Sequence, residues 1–425
     1  MSGFLSLATP HGGRTPGRRR RNVGTLAVAT AMLAACSTGG VYLPPAGTPK
    51  RPTVPPLAEL PVGPPVVTPQ ASPAWQWADN QPLPTPLQRG NSLWVPVRWG
   101  QLPGWGTDPL HEAWNAWLRS CERPMPGIGA LCAQARQLSI GTAAQQYEWM
   151  MRQLQPYQVQ GLDGSDQGTL TGYYEPTLLA SRHPTAQFRY PLYQTPASLR
   201  NGQPWFSRQE IDTHPDARAE LQGREIAWLQ DPIDAMLLHI QGSGRLQLVD
   251  GDGRGTMRVA FAATNNHPYR SITTWLARQG APTVPWPGAT KTWAQQNPGQ
   301  VNALLWSNPR YVFFREEPLT PLDAQSGPKG AQGVPLTPGR SIAVDRNSIP
   351  YGTPVWLRSV GPSARLQKMV LAQDTGSAIV GAVRADYFTG WGEGAFALAA
   401  GMKQPLQMWA LWPRQSTPPL ATAAP

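Results

Sequence analysis

The sequence predicts a mainly β protein with a short helical preface, on three observations. From Gly161 onward the chain breaks into short runs rich in Val, Tyr, Leu and Trp, punctuated by Gly, Pro and Asp, the texture of strands and tight turns. The pattern is clearest in the C-terminal third, where Ser341-Ile342-Ala343-Val344-Asp345 reads as a strand and Ile349-Pro350-Tyr351-Gly352 as a turn. Residues 353–357 and 368–372 read as the next two strands. Helical periodicity is concentrated earlier: Leu110, Trp114, Trp117 and Leu118 share one face before Pro124, and Tyr147, Met150, Met151 and Leu154 recur at i, i+3, i+4, i+7. Short helices are also expected over 272–278 and 301–306. The body of about 340 residues is too long for one compact core and suits two domains. Its many short strands favour barrels over an open parallel sheet.

The ends read as processing and spacer segments. Arg18 to Arg21 precede an apolar run, Val23 to Leu33, too short to span a bilayer but long enough for the apolar part of a signal peptide. The run ends in Leu33-Ala34-Ala35-Cys36, which resembles a bacterial lipobox, so residues 1–36 are expected to be a lipoprotein signal and Cys36 the lipidated residue. A plain secretory signal with a chance cysteine is the alternative. Ten prolines between Ser37 and Ser72 predict an extended spacer, and the linker is placed at 37–89. Residues 414–425 are expected to be a disordered tail. Cys121 and Cys132 either close a small loop as a disulfide or remain two buried thiols; no third soft ligand is near enough in sequence for a metal site.

The net charge is +11, and removing the five arginines of the signal leaves about +6 (11 − 5). The basic residues of the body are scattered rather than striped, which argues against nucleic acid. Several motif look-alikes fail. Gly242-Ser243-Gly244 lacks the glycine two before the serine that a nucleophile elbow needs. Residues 251–255 have the wrong spacing for a dinucleotide loop and read as a hairpin turn. His111-Glu112 opens no zinc motif, because position 115 is Asn. What remains is carboxylates among aromatics. Asp345, Asp374 and Asp386 stand near strand ends in one β segment, where Asp also commonly caps turns. Carboxylates brought together raise one another's pKa, which keeps one acid protonated near neutrality. Of the 18 tryptophans most are expected in the core, and a remainder could stack on sugar rings. Gly172-Tyr173-Tyr174-Glu175-Pro176 reads as a groove edge, with Glu175 either a solvated turn residue or a second reactive carboxylate.

Together these segments resemble the membrane-bound lytic murein transglycosylase A family with its C-terminal three-aspartate module. The matching residues are Thr171-Gly172-Tyr173-Tyr174-Glu175-Pro176, His239-Ile240-Gln241-Gly242-Ser243-Gly244-Arg245, Asn308-Pro309-Arg310-Tyr311-Val312-Phe313-Phe314 and Gly330-Ala331-Gln332-Gly333-Val334-Pro335-Leu336-Thr337. The module itself runs through Val344-Asp345-Arg346, Gln373-Asp374-Thr375-Gly376 and Arg384-Ala385-Asp386. One departure is Ser377, where a second glycine is expected.

The resemblance implies a double-psi β-barrel built from 90–177 and 325–413, a smaller β-domain over 178–324 inserted into it, and a groove between them. It implies cleavage of the β-1,4 bond of peptidoglycan to 1,6-anhydro products, with Asp386 as the single acid/base and Asp374 and Asp345 as supporting acids. Thr171, Tyr173, Gln241, Ser243 and Lys329 are the expected groove residues, and no cofactor or metal is implied. The expected partners are peptidoglycan strands, whose carboxylates suit a basic surface, and the membrane through the lipid on Cys36, with cell-wall synthesis or division proteins as candidate recruiters. Ser37 after the cysteine points to the outer membrane, facing the periplasm. A hydrolase of the same bond and a non-catalytic wall-binding lipoprotein are the rivals.

Overall fold

The computed structural model describes residues 72–250, 255–281 and 288–414. The expected signal with Cys36, most of the expected spacer, residues 251–254 of the expected hairpin turn, residues 282–287 and residues 415–425 lie outside them. The first four strands are β1 (Leu87–Arg89), β2 (Ser92–Pro96), β3 (Leu154–Gly161) and β4 (Gly168–Glu175). After Pro176 the chain enters a second sheet made of β5 (Thr177–Ser181), β6 (Tyr190–Tyr193), β7 (Glu225–Leu229), β8 (Ser243–Leu248), β9 (Thr256–Thr264) and β10 (Val312–Pro318). It then returns to the first sheet with β11 (Ser341–Val344), β12 (Pro354–Val360), β13 (Arg365–Asp374), β14 (Arg384–Trp391) and β15 (Lys403–Pro413).

The first sheet closes on itself. Its order is β1-β2-β3-β15-β12-β13-β11-β14-β4, and β15 also pairs with β4, so β15, β12, β13, β11, β14 and β4 form a ring. Closure removes the free edges that an open sheet would expose. Two neighbours in the ring are parallel, β11 with β13 and β14 with β4, and the others are antiparallel. The ring buries Leu170, Ile342, Val344, Val355, Val370, Ala385, Leu406 and Ala410. The other sheet, ordered β10-β9-β8-β5-β7-β6, has its own apolar cluster around Leu192, Leu246, Val259 and Phe314.

The helical preface packs on the outside of the ring. The helix Leu110–Ser120 buries Trp114 and Trp117, and the helix Ala143–Gln153, opened by a reciprocal Thr142–Gln145 capping box, buries Tyr147, Met150 and Met151. Trp105 stacks edge-on against Tyr147 and Trp356 at 4.9 and 5.0 Å, which ties this layer to β12. Arg340, 1% exposed, grips Asp108 through two hydrogen bonds of 2.7 and 2.8 Å and fixes the start of the preface to the ring. Cys121 and Cys132 form a disulfide with a Cα separation of 5.5 Å.

Three expectations need correction. The linker does not run to residue 89: Ser72 caps a helix, Pro73–Asp79, whose Ala74, Trp75 and Ala78 are buried in the preface. At the other end Arg414 belongs to the body, its guanidinium held by Gln155 and the carbonyl of Met151. Glu175 is neither solvated nor reactive. It is 0% exposed and meets Arg245 Nε at 2.7 Å and Arg258 Nε at 2.5 Å.

Candidate active site

Strand register brings the distant carboxylates into one row. Ala343 on β11 is opposite Asp374 on β13 and also opposite Asp386 on β14, and Asp386 is opposite Thr171 on β4. Asp374 and Asp386 therefore flank one small residue, their backbones about 10 Å apart at two strand spacings. The third acid stands apart. Asp345 follows β11, where Asn91 Nδ2 and the amides of Asn347 and Gly381 donate to its oxygens at 2.8–2.9 Å. It holds the loop before β14 and has no place in the lining of the cleft.

At Asp386 the hydrogen bonds have a fixed direction. Arg384 Nη2 donates to Thr171 Oγ1 at 2.9 Å, and a threonine hydroxyl has only one proton to give. That proton goes to Asp386 Oδ1, at 2.6 Å. Burial raises the Asp386 carboxyl to about 6; Thr171 and Arg384 oppose the rise and the Asp374 charge adds to it. Asp374 is held on both oxygens, Oδ2 by the Tyr173 hydroxyl at 2.8 Å and Oδ1 by the amide of Ala331 at 2.9 Å. Burial raises its pKa too, against the pull of these hydrogen bonds. The Ala331 contact needs Gly330 beside it, since a Cβ there would stand 2.5 Å from the carbonyl of Gln373. Tyr173 reaches across the row with its ring against Phe388 at 5.2 Å, and burial beside the two carboxylates pushes its phenol well above the usual value.

A cleft of about 600 Å³ opens beside this row, between β4, the 328–331 loop and residues 374–377 on one side and β9–β10 on the other. Of the expected residues, Tyr173, Gln241, Ser243, Lys329 and Asp374 line it. Thr171 and Asp386 do not; Asp386 lies two strand spacings from Asp374 along the row and Thr171 a third, both partly exposed. Gln241 ends the helix Pro232–Gln241, and its Oε1 accepts from the amide of Tyr174, docking the helix onto β4. Gly242, at φ 79°, then turns the chain into β8.

In the sequence His239, Arg310 and Arg346 stand only as motif letters, and Phe261 and Arg315 carry no signal, although all five line the cleft. The register between β9 and β10 slips at Phe313/Phe314, leaving Ala262 unpaired beside Phe261, which is 47% exposed. No single-strand pattern reveals such a bulge. The tryptophans are not part of the lining: Trp94, Trp99, Trp114, Trp117, Trp356 and Trp412 are fully buried, and no described tryptophan faces this cleft.

Residues 169–315 match the family model of the MltA specific insert domain, and residues 340–412 match that of the 3D domain. The chain is 31% identical over 237 residues to the membrane-bound lytic murein transglycosylase A of Vibrio cholerae serotype O1, a match covering 53% of this chain and 60% of that relative's length. Among solved structures it resembles the lytic transglycosylase LtgG of Burkholderia pseudomallei at 41% identity, covering 79% of this chain and 98% of that one with a TM-score of 0.52. It also resembles MltA of Neisseria gonorrhoeae at 29% identity, covering 81% and 98% with a TM-score of 0.67. A closed barrel interrupted by a second sheet, a row of acids across it and these matches together assign the chain to the membrane-bound lytic murein transglycosylase A family, to which it belongs.

Proposed function

We propose that the chain is a lytic transglycosylase of peptidoglycan, cutting the β-1,4 bond between N-acetylmuramic acid and N-acetylglucosamine during wall turnover. The observation that carries this is Asp386, an acid raised to about 6 whose Oδ1 is occupied by the Thr171 hydroxyl and whose Oδ2 has no hydrogen-bond partner among the described residues. With Oδ1 accepting, the proton of the neutral acid sits on Oδ2.

That proton passes to the glycosidic oxygen as the C1–O bond breaks through an oxocarbenium-like state. The carboxylate left behind takes the proton of the muramic C6 hydroxyl, whose oxygen closes onto C1. The product is a 1,6-anhydro sugar, and no water is consumed. Glycosidases that use water or a covalent intermediate need a second free carboxylate. Here the other carboxylate of the row, Asp374, has both oxygens held, which supports one-acid chemistry. An internal hydroxyl compensates through its very high effective concentration. In this scheme Thr171 positions the acid, and Tyr173, Gln241, Ser243 and Lys329 contact the glycan. Names of relatives as lytic murein transglycosylases support the same reaction.

Mass spectrometry of peptidoglycan digested by the full chain and by Asp386→Asn tests this. Anhydro-muropeptides from the wild type alone are expected. Reducing-end products would mean a hydrolase, binding without cleavage a wall-binding lipoprotein, and an active variant would move the acid to Asp374.

The location belongs to the same proposal: a lipid on Cys36 anchors the chain to the outer membrane, facing the periplasm. The relatives are named membrane-bound, and among the described residues no helix is long and apolar enough to cross a membrane. Cys36→Ser is expected to abolish labelling by a radioactive fatty acid and release the chain from the membrane fraction; retention on the membrane would remove the lipid from the account.

A further inference from the structure

The cleft is lopsided in charge. Four cations line it, Arg310, Arg315, Lys329 and Arg346, against one acid, Asp374. The two on the β9–β10 side are already engaged: Arg315 pairs with Glu317 at 2.7 Å, and Arg310 donates to the carbonyl of His267 at 3.2 Å. The two on the barrel side are not. Lys329 and Arg346 are exposed and make no ion pair among the described residues.

Their positions are set by the elements that build the acid row. Lys329 precedes Gly330 and Ala331, the segment whose amide holds Asp374, so it stands at one shoulder of that carboxylate. Arg346 follows Asp345 at the end of β11, where Thr375 Oγ1 donates to the carbonyl of Val344 at 2.9 Å, so it stands at the other. Neither cation contributes to the shifts of Asp374 or Asp386, whose causes are burial, Tyr173 and local amides for the first and burial, Thr171, Arg384 and the Asp374 charge for the second. Two positive charges thus line a glycan-sized cleft without an ion-pair partner among the described residues, although Lys329 is near enough to help lower the Asp323 carboxyl.

We infer that Lys329 and Arg346 form an anion subsite that reads the carboxylates carried by muramic residues, either the lactyl carboxylate or those of the stem peptide, and so select these strands over neutral amino-sugar polymers. The inference rests on the function proposed above and adds the two residues that set its selectivity for charged strands. A cation facing a carboxylate in a partly closed cleft gains more than it would in water, and the gain is screened by salt.

The test uses the full-length chain with two substrates: purified peptide-bearing glycan strands, and the same strands with their carboxylates converted to neutral methylamides. The wild type is expected to show a KM several-fold lower for the charged strands, rising with sodium chloride. In the double variant Lys329→Gln/Arg346→Gln the ratio of the two KM values should fall to near one and the salt dependence flatten, whatever the absolute rates. Strands stripped of peptide by an amidase, which keep the lactyl carboxylate, distinguish the sources: retained preference assigns the lactyl group, and lost preference the peptide. Equal KM values in the wild type, or an unchanged ratio in the double variant, would overturn the inference while leaving the reaction in place. A wild type that cleaves neither substrate would overturn the reaction and the inference with it.

Discussion

Residues of one strand, β4, serve two sets of carboxylates, and the surroundings of the two sets differ in one respect. At its C-terminal end Glu175 is fully buried between Arg245 and Arg258, whose guanidiniums also donate to the carbonyl of Ser326 where the chain comes back to the barrel. Every charge there has a partner, and the cluster joins the point where the chain leaves the barrel to the point where it returns. Toward the middle of the strand, Thr171 and Tyr173 serve Asp386 and Asp374 with hydroxyls rather than cations. Hydroxyls orient a carboxylate without neutralising it, so burial wins and both acids are pushed up. The paired carboxylate joins the chain's exit from the barrel to its return, and the unpaired ones are held above the ordinary carboxylate range by burial.

The largest expected effect tests the unpaired side. Asp386→Asn should lower the rate of anhydro-product formation by about 10²- to 10⁴-fold, the usual worth of a general acid. Stability should move the other way. The folded-state pKa of about 6 lies above the ordinary aspartate value of 3.8, so between these values the folded state binds more protons and stability falls as pH rises. Above that window the ionised acid costs on the order of 2–3 kcal/mol, and the asparagine variant escapes the cost. Urea unfolding at pH 7.5 should find the variant more stable than the wild type, and at pH 4 the gap should close. A variant less stable at pH 7.5 would mean that Asp386 is as well compensated as Glu175.

The paired side should respond in the opposite sense. Glu175→Gln leaves two buried guanidiniums short of a counter-charge, which typically costs about 3–5 kcal/mol. Urea unfolding at neutral pH measures it, and a loss below about 1 kcal/mol would mean that the arginines find water or new carbonyl partners. The comparison would then reduce to position rather than pairing.

Little of this contrast was legible in the sequence, for a physical reason. Local patterns predicted local elements well: alternating or apolar runs became β11, β12 and β13, and the short helices at 272–278 and 301–306 formed where periodicity placed them. The helix Pro232–Gln241 was missed although Asp231, Pro232 and Gly242 mark its start and stop. It is apolar on nearly every side, with Ile233, Ala235, Met236, Leu237 and Leu238 all buried, and so shows no amphipathic stripe. The helix Gly392–Gly401 is mostly glycine and alanine and has no side-chain cap. Charge pairing is harder still. The partners of Glu175 lie 70 and 83 residues away, and Asp374 and Asp386 become neighbours only because β11 inserts between their strands. The motifs identified which aspartates to watch; the register determined which of them stays unpaired.

The smallest expected effect separates the two acids of the row. Asp374→Asn removes a charge that raises Asp386, while burial, the larger cause, stays. The alkaline limb of the pH–rate profile, set by loss of the Asp386 proton, should therefore move toward acid without reaching the ordinary carboxylate range. The substitution can be accommodated in place, because the asparagine oxygen can accept from the amide of Ala331 and its nitrogen can donate to the Tyr173 hydroxyl. Initial rates across pH on one substrate, with the variant beside the wild type, give the answer. An unmoved limb would mean that the Asp374 charge is screened from Asp386 across β11, so that burial alone sets the acid. A limb moved toward alkali would mean that Tyr173, released from Asp374, has become part of the proton balance. Only the acidward shift is consistent with two unpaired carboxylates sharing one row.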